Sequence, residues 1–228
     1  MRLFELCGAD PDLRFSPFVW RARLALAHKG LEAECVPTRF LEKEPYAPSG
    51  SKTVPVLEDN GKWIADSWAI ACYLEEQYPD RPSLFGGEIG RSEARLINVW
   101  VDSAVTRTMF PMYAADVWDC LEEPDKSYFR ETREKRIGRS LEEARDEREA
   151  LLDPLAKALT PLRATLGEQP FICGDSPAYA DYCAFTPFLW AHCASRFECL
   201  AADDPVTDWR ARMFDVCDGL PRTAKRAA

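Results

Sequence analysis

The residues best placed to do chemistry are Ser16 and the helix start behind it, Ser16-Pro17-Phe18-Val19-Trp20-Arg21. Proline suits the first turn of a helix, where its missing N–H is harmless, so Ser16 falls at the cap. A hydroxyl there cannot exchange disulfides, but it can donate a hydrogen bond to a thiolate carried by a ligand. The bland alternative is an ordinary N-cap, and the two roles can coexist. Asp66-Ser67 repeat the arrangement ahead of a second helix. Their side chains and the exposed N–H groups of a helix start suit a ligand bearing both a carboxylate and an ammonium, with a plain cap again the alternative. Lys52 is either a cation for a second carboxylate or a solvated loop lysine. Cys7, at the end of the first apolar run, is either a redox thiol or a small buried hydrophobe.

The elements that must position these residues follow from periodicity and turn chemistry. Leu3 to Cys7 reads as a strand, and Pro17 to Lys29 as a helix with His28 and Lys29 in its last turn and Gly30 as its stop. Ala33 to Pro37 is a second strand, and the polar, proline-broken Thr38 to Ser51 admits only a short helix or loop. Val54-Pro55-Val56-Leu57 is a strand entered through a proline, which cannot donate to a ladder and so belongs at its start. Asn60-Gly61 marks a hairpin turn, and Trp63-Ile64 opens the return strand. Ile70, Ala71, Leu74 and Tyr78 recur at helical spacing after Asp66-Ser67, and that helix closes before Pro79. The order over residues 1–80 is β-α-β-α-β-β-α.

A proline- and glycine-bearing linker over 81–88 leads into residues 89–228, where the pattern is helical throughout. Gly90 to about Trp118 reads as one long helix kinked at Pro111. Tyr128 to about Leu152 reads as a second, whose run from Arg130 to Glu149 is a solvated face of i,i+4 pairs. Asp153-Pro154 caps a third, which Thr160-Pro161 kinks or splits, Ala180 to Arg196 is an apolar central helix, and Pro205 to Cys217 closes the set. The fold class is therefore α/β plus all-α, a small mixed-sheet domain followed by a helical bundle.

Composition narrows the function. The chain has 228 residues and a formal net charge of −9, which argues against nucleic acid and anionic membranes as partners. Ser176 to Ser195 is nearly charge-free but contains Asp181, Pro187 and His192, so it reads as a buried helix and not a membrane span. Nothing in Met1-Arg2-Leu3-Phe4-Glu5 resembles a signal peptide. The nine cysteines are odd in number and include no Cys-x-x-Cys, so they are expected to be reduced in a cytoplasmic protein. With His28 and His192 the only histidines, no metal site is expected.

Taken in order, the motifs resemble those of the cytosolic glutathione transferase superfamily. Ser16 to Arg21 has the shape of the thiol-redox signature Cys-Pro-Phe/Tyr-x-x-Arg with serine in the cysteine's place. Thr53-Val54-Pro55-Val56-Leu57 is similar to the family's cis-proline strand, Asp66-Ser67-Trp68-Ala69-Ile70 to its glutamyl-binding turn, and Ala178-Tyr179-Ala180-Asp181-Tyr182 to its second-domain helix-start box. That box usually carries Ser, Thr or Asn where Ala178 stands, so half of a reciprocal cap is missing. Ser16 to Arg21, Ala27 to Gly30, Tyr78 to Pro82 and Asp203 to Trp209 are similar to the serine-type bacterial β-aryl-etherase-like branch and its fungal relatives.

The resemblance implies a thioredoxin-like first domain that binds glutathione as co-substrate. Ser16 would hold its thiolate, Val54 would offer backbone groups turned toward the cleft by a cis Pro55, Asp66 and Ser67 would take the γ-glutamyl end, and Lys52 the glycyl carboxylate. An aromatic or aryl-ether electrophile would lie against Phe15, Phe18 and the first helix of the second domain. On that helix Trp100, Ser103, Ala104, Arg107, Phe110 and Tyr113 are candidates, with Arg107 steadying a phenolate leaving group. Aromatic stripes of this kind are more often core. The resemblance also implies a homodimer. Rival functions are a ligandin-type carrier of aromatic compounds, a glutathione-dependent peroxidase or reductase of the same fold, and an interaction protein that has lost the tripeptide site.

Overall fold

The computed structural model describes residues 1–227. Its first half is built on a four-stranded mixed sheet of order β2-β1-β3-β4, with β1 Arg2–Leu6, β2 Glu34–Thr38, β3 Val56–Asp59 and β4 Lys62–Ala65. β1 and β2 run parallel, joined by α1 (Pro17–His28), whereas β3 runs antiparallel to both β1 and β4. Asn60 (φ 49°) and Gly61 (φ 81°) make the hairpin between β3 and β4, the two positive φ values that a tight turn of this hand requires. α2 (Ser67–Gln77) follows. The second α element expected in the order is only a 3₁₀ helix at Glu44–Ser49, because Pro45 and Pro48 leave too few N–H groups for an α-helix. This is the thioredoxin-like arrangement the sequence implies.

The second half is helical: α3 (Glu88–Trp100), α4 (Arg107–Asp119), α5 (Asp125–Ile137), α6 (Leu141–Asp146), α7 (Leu152–Ala158), α8 (Thr160–Leu166), α9 (Tyr179–Ala194) and α10 (Pro205–Met213). Two expectations are corrected here. The long first helix is interrupted not at Pro111 but by a π-helical turn at Val101–Thr106. The expected helix from Tyr128 to Leu152 starts at Asp125 and breaks at Gly138, whose φ of 83° ends α5, and restarts behind the Ser140 capping box. Thr160-Pro161 does divide α7 from α8.

α9 is the axis of the bundle. Almost every side chain along it is buried, and it packs on α1, so the two halves share one apolar core. His28 clamps the same seam: one ring nitrogen lies 2.7 Å from the Tyr182 hydroxyl and the other 2.9 Å from the Ser83 carbonyl. Burial lowers the His28 pKa, so the neutral imidazole donates to Ser83 and accepts from Tyr182. No helix among the described residues is long and apolar enough to cross a membrane.

With Ala178 at the cap of α9, only the half of the reciprocal cap that Asp181 supplies is present. The buried Asp181 carboxylate accepts N–H groups from Ile172 (2.7 Å), Cys173 (3.2 Å) and Ala178 (3.3 Å) and the indole N–H of Trp209 (3.1 Å). One side chain therefore ties the preceding loop, the start of α9 and α10 together. Burial raises its pKa even so, and removing the acceptor would strand several buried donors. Asp181→Ala is expected to lower stability by about 3–5 kcal/mol, read as a shift in the urea unfolding midpoint.

Candidate functional site

One cavity of about 440 Å³ is lined from both halves of the chain, by Phe15, Ser16, Phe18, Lys52, Val54, Pro55 and Asp66 from the first and Thr106, Phe110, Tyr128, Phe129, Arg133, Arg136 and Trp190 from the second. Ser16 reaches it on a braced loop. The Arg14 side chain donates to Glu5 on β1 (3.0 Å), and the Trp20 indole N–H donates to the Arg14 carbonyl (2.7 Å). Glu5 is fully buried and is held on its other side by Arg23 at 2.7 Å. The loop also runs against the end of α4: a Cβ at Gly8 would sit 2.7 Å from the Cys120 carbonyl oxygen, so only glycine fits.

Ser16 is the N-cap of α1, and its Oγ accepts the Val19 N–H at a long 3.4 Å while its carbonyl accepts the Trp20 N–H at 3.1 Å. Pro17 has no N–H to offer. Among the described residues, the hydroxyl proton of Ser16 and the N–H of Phe18 have no acceptor. Two donors at the positive end of a helix thus face the cavity, an arrangement that stabilises an anion.

Asp66 caps α2 from a backbone conformation of φ 81° and ψ 133°, well outside the ordinary range for a residue with a Cβ. Its Oδ1 accepts the N–H groups of Trp68 (2.9 Å) and Ala69 (3.1 Å), leaving Oδ2 open toward solvent. Its own N–H donates to the Pro55 carbonyl at 3.2 Å, which sets the cap beside the entry to β3. The Val54–Pro55 peptide is cis. Among the described residues neither the N–H nor the C=O of Val54 finds a protein partner, and both sit on the cavity wall with Lys52. Ser67 is buried, with its carbonyl accepting the Tyr179 hydroxyl at 2.9 Å, and its side chain does not line the cavity; its backbone N–H is free at the helix start.

The remaining wall is aromatic. Phe40 packs on Phe15 (6.4 Å between ring centres), Tyr128 (6.3 Å) and Phe129 (5.4 Å), and Phe110 stacks on Trp190 at 6.3 Å. Phe15 and Phe18 line the cavity. Trp100, Arg107 and Tyr113 do not line the cavity. Arg107 is exposed, Trp100 packs partly buried against the core, and Tyr113 is fully buried, edge-on to Trp190 and donating to the Phe197 carbonyl at 3.3 Å. On the π turn and α4 the residues that do line it are Thr106, Phe110 and Val117, and of these Phe110 is among the candidates named from the sequence. Cys7 is buried, its thiol donating to the Thr38 carbonyl at 3.5 Å, and burial pushes its pKa up: it is a small core residue.

Sequence reasoning missed Lys43, Tyr46, Thr106, Arg133, Arg136 and Trp190, all on the wall. The Tyr46 phenol is pushed up to about 12 by burial, and burial lowers the Lys43 pKa. Arg133 and Arg136 belong to the run taken as a solvated face. A signal for them existed, since Phe129, Arg133 and Arg136 recur at i, i+4 and i+7 and share one side of α5. Among the described residues no cluster of side chains could hold a metal ion.

With this geometry in hand, comparison with known proteins places the chain. A glutathione S-transferase C-terminal domain model matches residues 94–209, slightly more than half of it, and a glutathione S-transferase N-terminal domain model matches residues 15–77. Glutathione S-transferase U22 of Arabidopsis thaliana is 28% identical over 77% of this chain and 69% of its own length. A zeta-class glutathione S-transferase of Euphorbia esula is 44% identical over 28% of this chain and 31% of its own length. The crystal structure of a glutathione S-transferase from Ceriporiopsis subvermispora, solved in complex with glutathione, superposes with a TM-score of 0.77 at 23% identity, covering 98% of this chain and 94% of that one. That likeness is one of fold.

The cap of α2 yields a stability test. Asp66→Ala removes the acceptor for two N–H groups and leaves a Cβ at φ 81°, so a loss of about 1–3 kcal/mol is expected. Asp66→Gly loses the acceptor but relieves the backbone and should cost less than the alanine variant. Urea unfolding of the pair checks the order.

Proposed function

The chain belongs to the glutathione S-transferase family of enzymes, and on that premise we propose that it is a serine-type transferase that joins glutathione to an aromatic electrophile. The observation that carries this reading is the pair of unshared donors at the start of α1, the Ser16 hydroxyl and the Phe18 N–H, facing a cavity with an aromatic far wall. A thiol with a reference pKa of about 8.5 is mostly protonated at neutral pH, and lowering it by ~2 units takes about 2.7 kcal/mol of preference for the thiolate. One hydrogen bond to a charged acceptor contributes ~1.5–3 kcal/mol, and the helix start adds to it. No general base is needed.

The tripeptide lies along the first half of the cavity. Its ammonium meets the open Oδ2 of Asp66 and its glutamyl carboxylate the free N–H of Ser67. The middle of the peptide pairs with the N–H and C=O of Val54, and Lys52 faces the glycyl carboxylate. The thiolate at Ser16 then attacks the electrophilic carbon, forming a carbon–sulfur bond as a phenoxide or halide leaves. Aryl ethers of the β-aryl-etherase type fit an aromatic wall of Phe15, Phe18, Phe40 and Phe110. The carrier reading shares this site and differs only in turnover. The peroxidase reading shares the site too, since a thiolate held there could attack a hydroperoxide oxygen; the reductase reading by thiol exchange requires a thiol on the protein, and among the described residues no cysteine lines the cavity.

Ser16→Ala should raise the pKa of bound glutathione by about 1–2 units and slow conjugation of an activated aryl halide at pH 7 by roughly 10–100-fold. Ser16→Cys should lose most of that rate and gain exchange with glutathione disulfide: the new thiolate bonds one sulfur and releases the other as glutathione. Mass spectrometry would show the adduct, with the wild type run in parallel to account for the native cysteines. Full conjugation by Ser16→Ala, with no adduct on Ser16→Cys, would reduce Ser16 to a helix cap.

The active form is a homodimer. Ile89 (78% exposed), Leu96 (69%) and Val99 (46%) stand in a row on α3, apolar residues that a second copy would cover. Leu96→Glu is expected to shift the light-scattering mass from about two chains to near the 25.9 kDa of one.

A further inference from the structure

Opposite Ser16, the aromatic end of the cavity carries charge of one sign. Arg133 lies over the rings of Phe129 (5.0 Å), Phe40 (5.4 Å) and Tyr128 (5.8 Å), and Arg136 lies over Phe110 at 4.3 Å, a ring that also stacks on Trp190. Neither guanidinium has a carboxylate partner among the described residues, whereas the third arginine of α5, Arg130, pairs with Glu134 and Glu142. Of the carboxylates, only Asp66 lines the cavity, and it belongs to the cap of α2. Asp125 is buried beneath the wall and is already held by the N–H groups of Phe40 (2.8 Å) and Leu41 (3.1 Å).

A second observation points the same way. The Thr106 hydroxyl, in the π turn on the same wall, is buried with no hydrogen-bond partner. Buried polar atoms are almost always satisfied in a folded chain, so a lone one facing a cavity marks a place for a ligand atom. Crowding reinforces the case: burial, then Arg133, then Arg107 lower the Arg136 pKa, an unfavourable arrangement that an anion would relieve.

Resting on the transferase reading above, we infer that the second substrate is an aromatic compound bearing an acidic group, its ring between Phe40, Phe110 and Trp190 and its anion held by Arg133 and Arg136, with Thr106 as a further donor. A planar guanidinium matches a carboxylate in two parallel hydrogen bonds, and one stacked on aromatic rings is pre-positioned to do so. The acid would therefore orient the ring toward Ser16 as well as add affinity.

The test uses the whole chain and two matched probes, 4-chloro-3,5-dinitrobenzoate and its neutral methyl ester. In both, the glutathione thiolate bonds the carbon bearing chlorine and chloride leaves, so the difference between them is the charge. With each rate divided by the uncatalysed one, the wild type is expected to prefer the acid in kcat/KM by roughly 10–100-fold. The double variant Arg133→Gln/Arg136→Gln should lose that preference. Calorimetry with the unreactive 3,5-dinitrobenzoate and its methyl ester, on protein loaded with S-methylglutathione, should show the same preference in affinity and the same loss. If the wild type binds acid and ester alike, or the double variant keeps the preference, the inference is overturned, whatever the turnover. If the acid is preferred and the variant abolishes it while neither chloride is turned over, the anion site stands and the transferase reading fails.

Discussion

The guanidinium of Arg21 is the joint on which the arrangement depends. It is fully buried, so its charge has to be met inside the protein. Its NH2 and NH1 groups donate to the two oxygens of Asp102 at 2.7 and 3.3 Å, its Nε donates to the Thr186 hydroxyl at 3.2 Å, and the Cys183 carbonyl lies 3.4 Å away. Asn98 steadies Asp102 with a further bond of 2.7 Å. One side chain from α1 thereby fixes its position against α9 and against the π turn. The first of these contacts sets where Ser16 stands; the second holds the segment that presents Thr106 and Phe110. The two ends of the cavity are registered to each other through a residue that never touches it.

Unmet polar groups gather at the cavity without being confined to it. Arg14 Nη1, Arg145 Nε and Arg212 Nε are buried without partners among the described residues, but in the scaffold most donors and acceptors are paired, as with Arg21, Asp181 and His28. Around the cavity they are not: the Ser16 proton, the Phe18 and Ser67 N–H groups, both backbone groups of Val54, the Thr106 hydroxyl and the guanidinium of Arg136 all lack protein partners among the described residues. Leaving buried groups unmet costs stability, on the order of 1–3 kcal/mol each where water is fully excluded. Their concentration in one cavity is what a polar ligand threaded along the first half and into the second would use. The outlying backbone at Asp66 belongs to the same pattern of local cost at a working position.

The first half of the fold was legible because its signals are local. Pro17 and Gly30 bracket α1, Asn60-Gly61 fixes the hairpin, and Asp66-Ser67 marks the start of α2, each through the φ values or N–H groups of adjacent residues. The second half was legible only as helix. Nothing in Val101-Asp102-Ser103-Ala104-Val105-Thr106 announces a π turn, which arises from how those residues pack and from Asp102 reaching Arg21. The expected Phe110 lines the cavity together with Thr106 and Val117, whereas Arg107 and Tyr113 do not. The break at Gly138 was hidden by strong helix formers on both sides, while Arg133 and Arg136 were hidden by the charge of their neighbours.

Net charge and local charge point in opposite directions here, and the local one governs binding. The chain as a whole carries −9. The cavity wall carries Arg39, Lys43, Lys52, Arg133 and Arg136 against Asp66, and of those cations Arg39 is paired with Glu122. At physiological ionic strength, exposed charges more than about 8 Å away are largely screened, so a ligand in the cavity feels the charges that line it, exposed Arg39, Lys52 and Arg136 included, more than the distant surface. An anionic ligand thus meets a repulsive exterior and an attractive interior, so its affinity is set by what the cavity presents. Lys52 stands on the wall with Val54 and Pro55, Lys43 lies near Asp125 and Arg133, and Arg136 lies over Phe110, with the helix start at Ser16 among the wall residues contributed by the first half. The proposed ligand pair, with negative charge at its outer ends and a thiolate between them, would meet a cation or a helix start at each of those charges, while the acidic surface outside offers it no competing site.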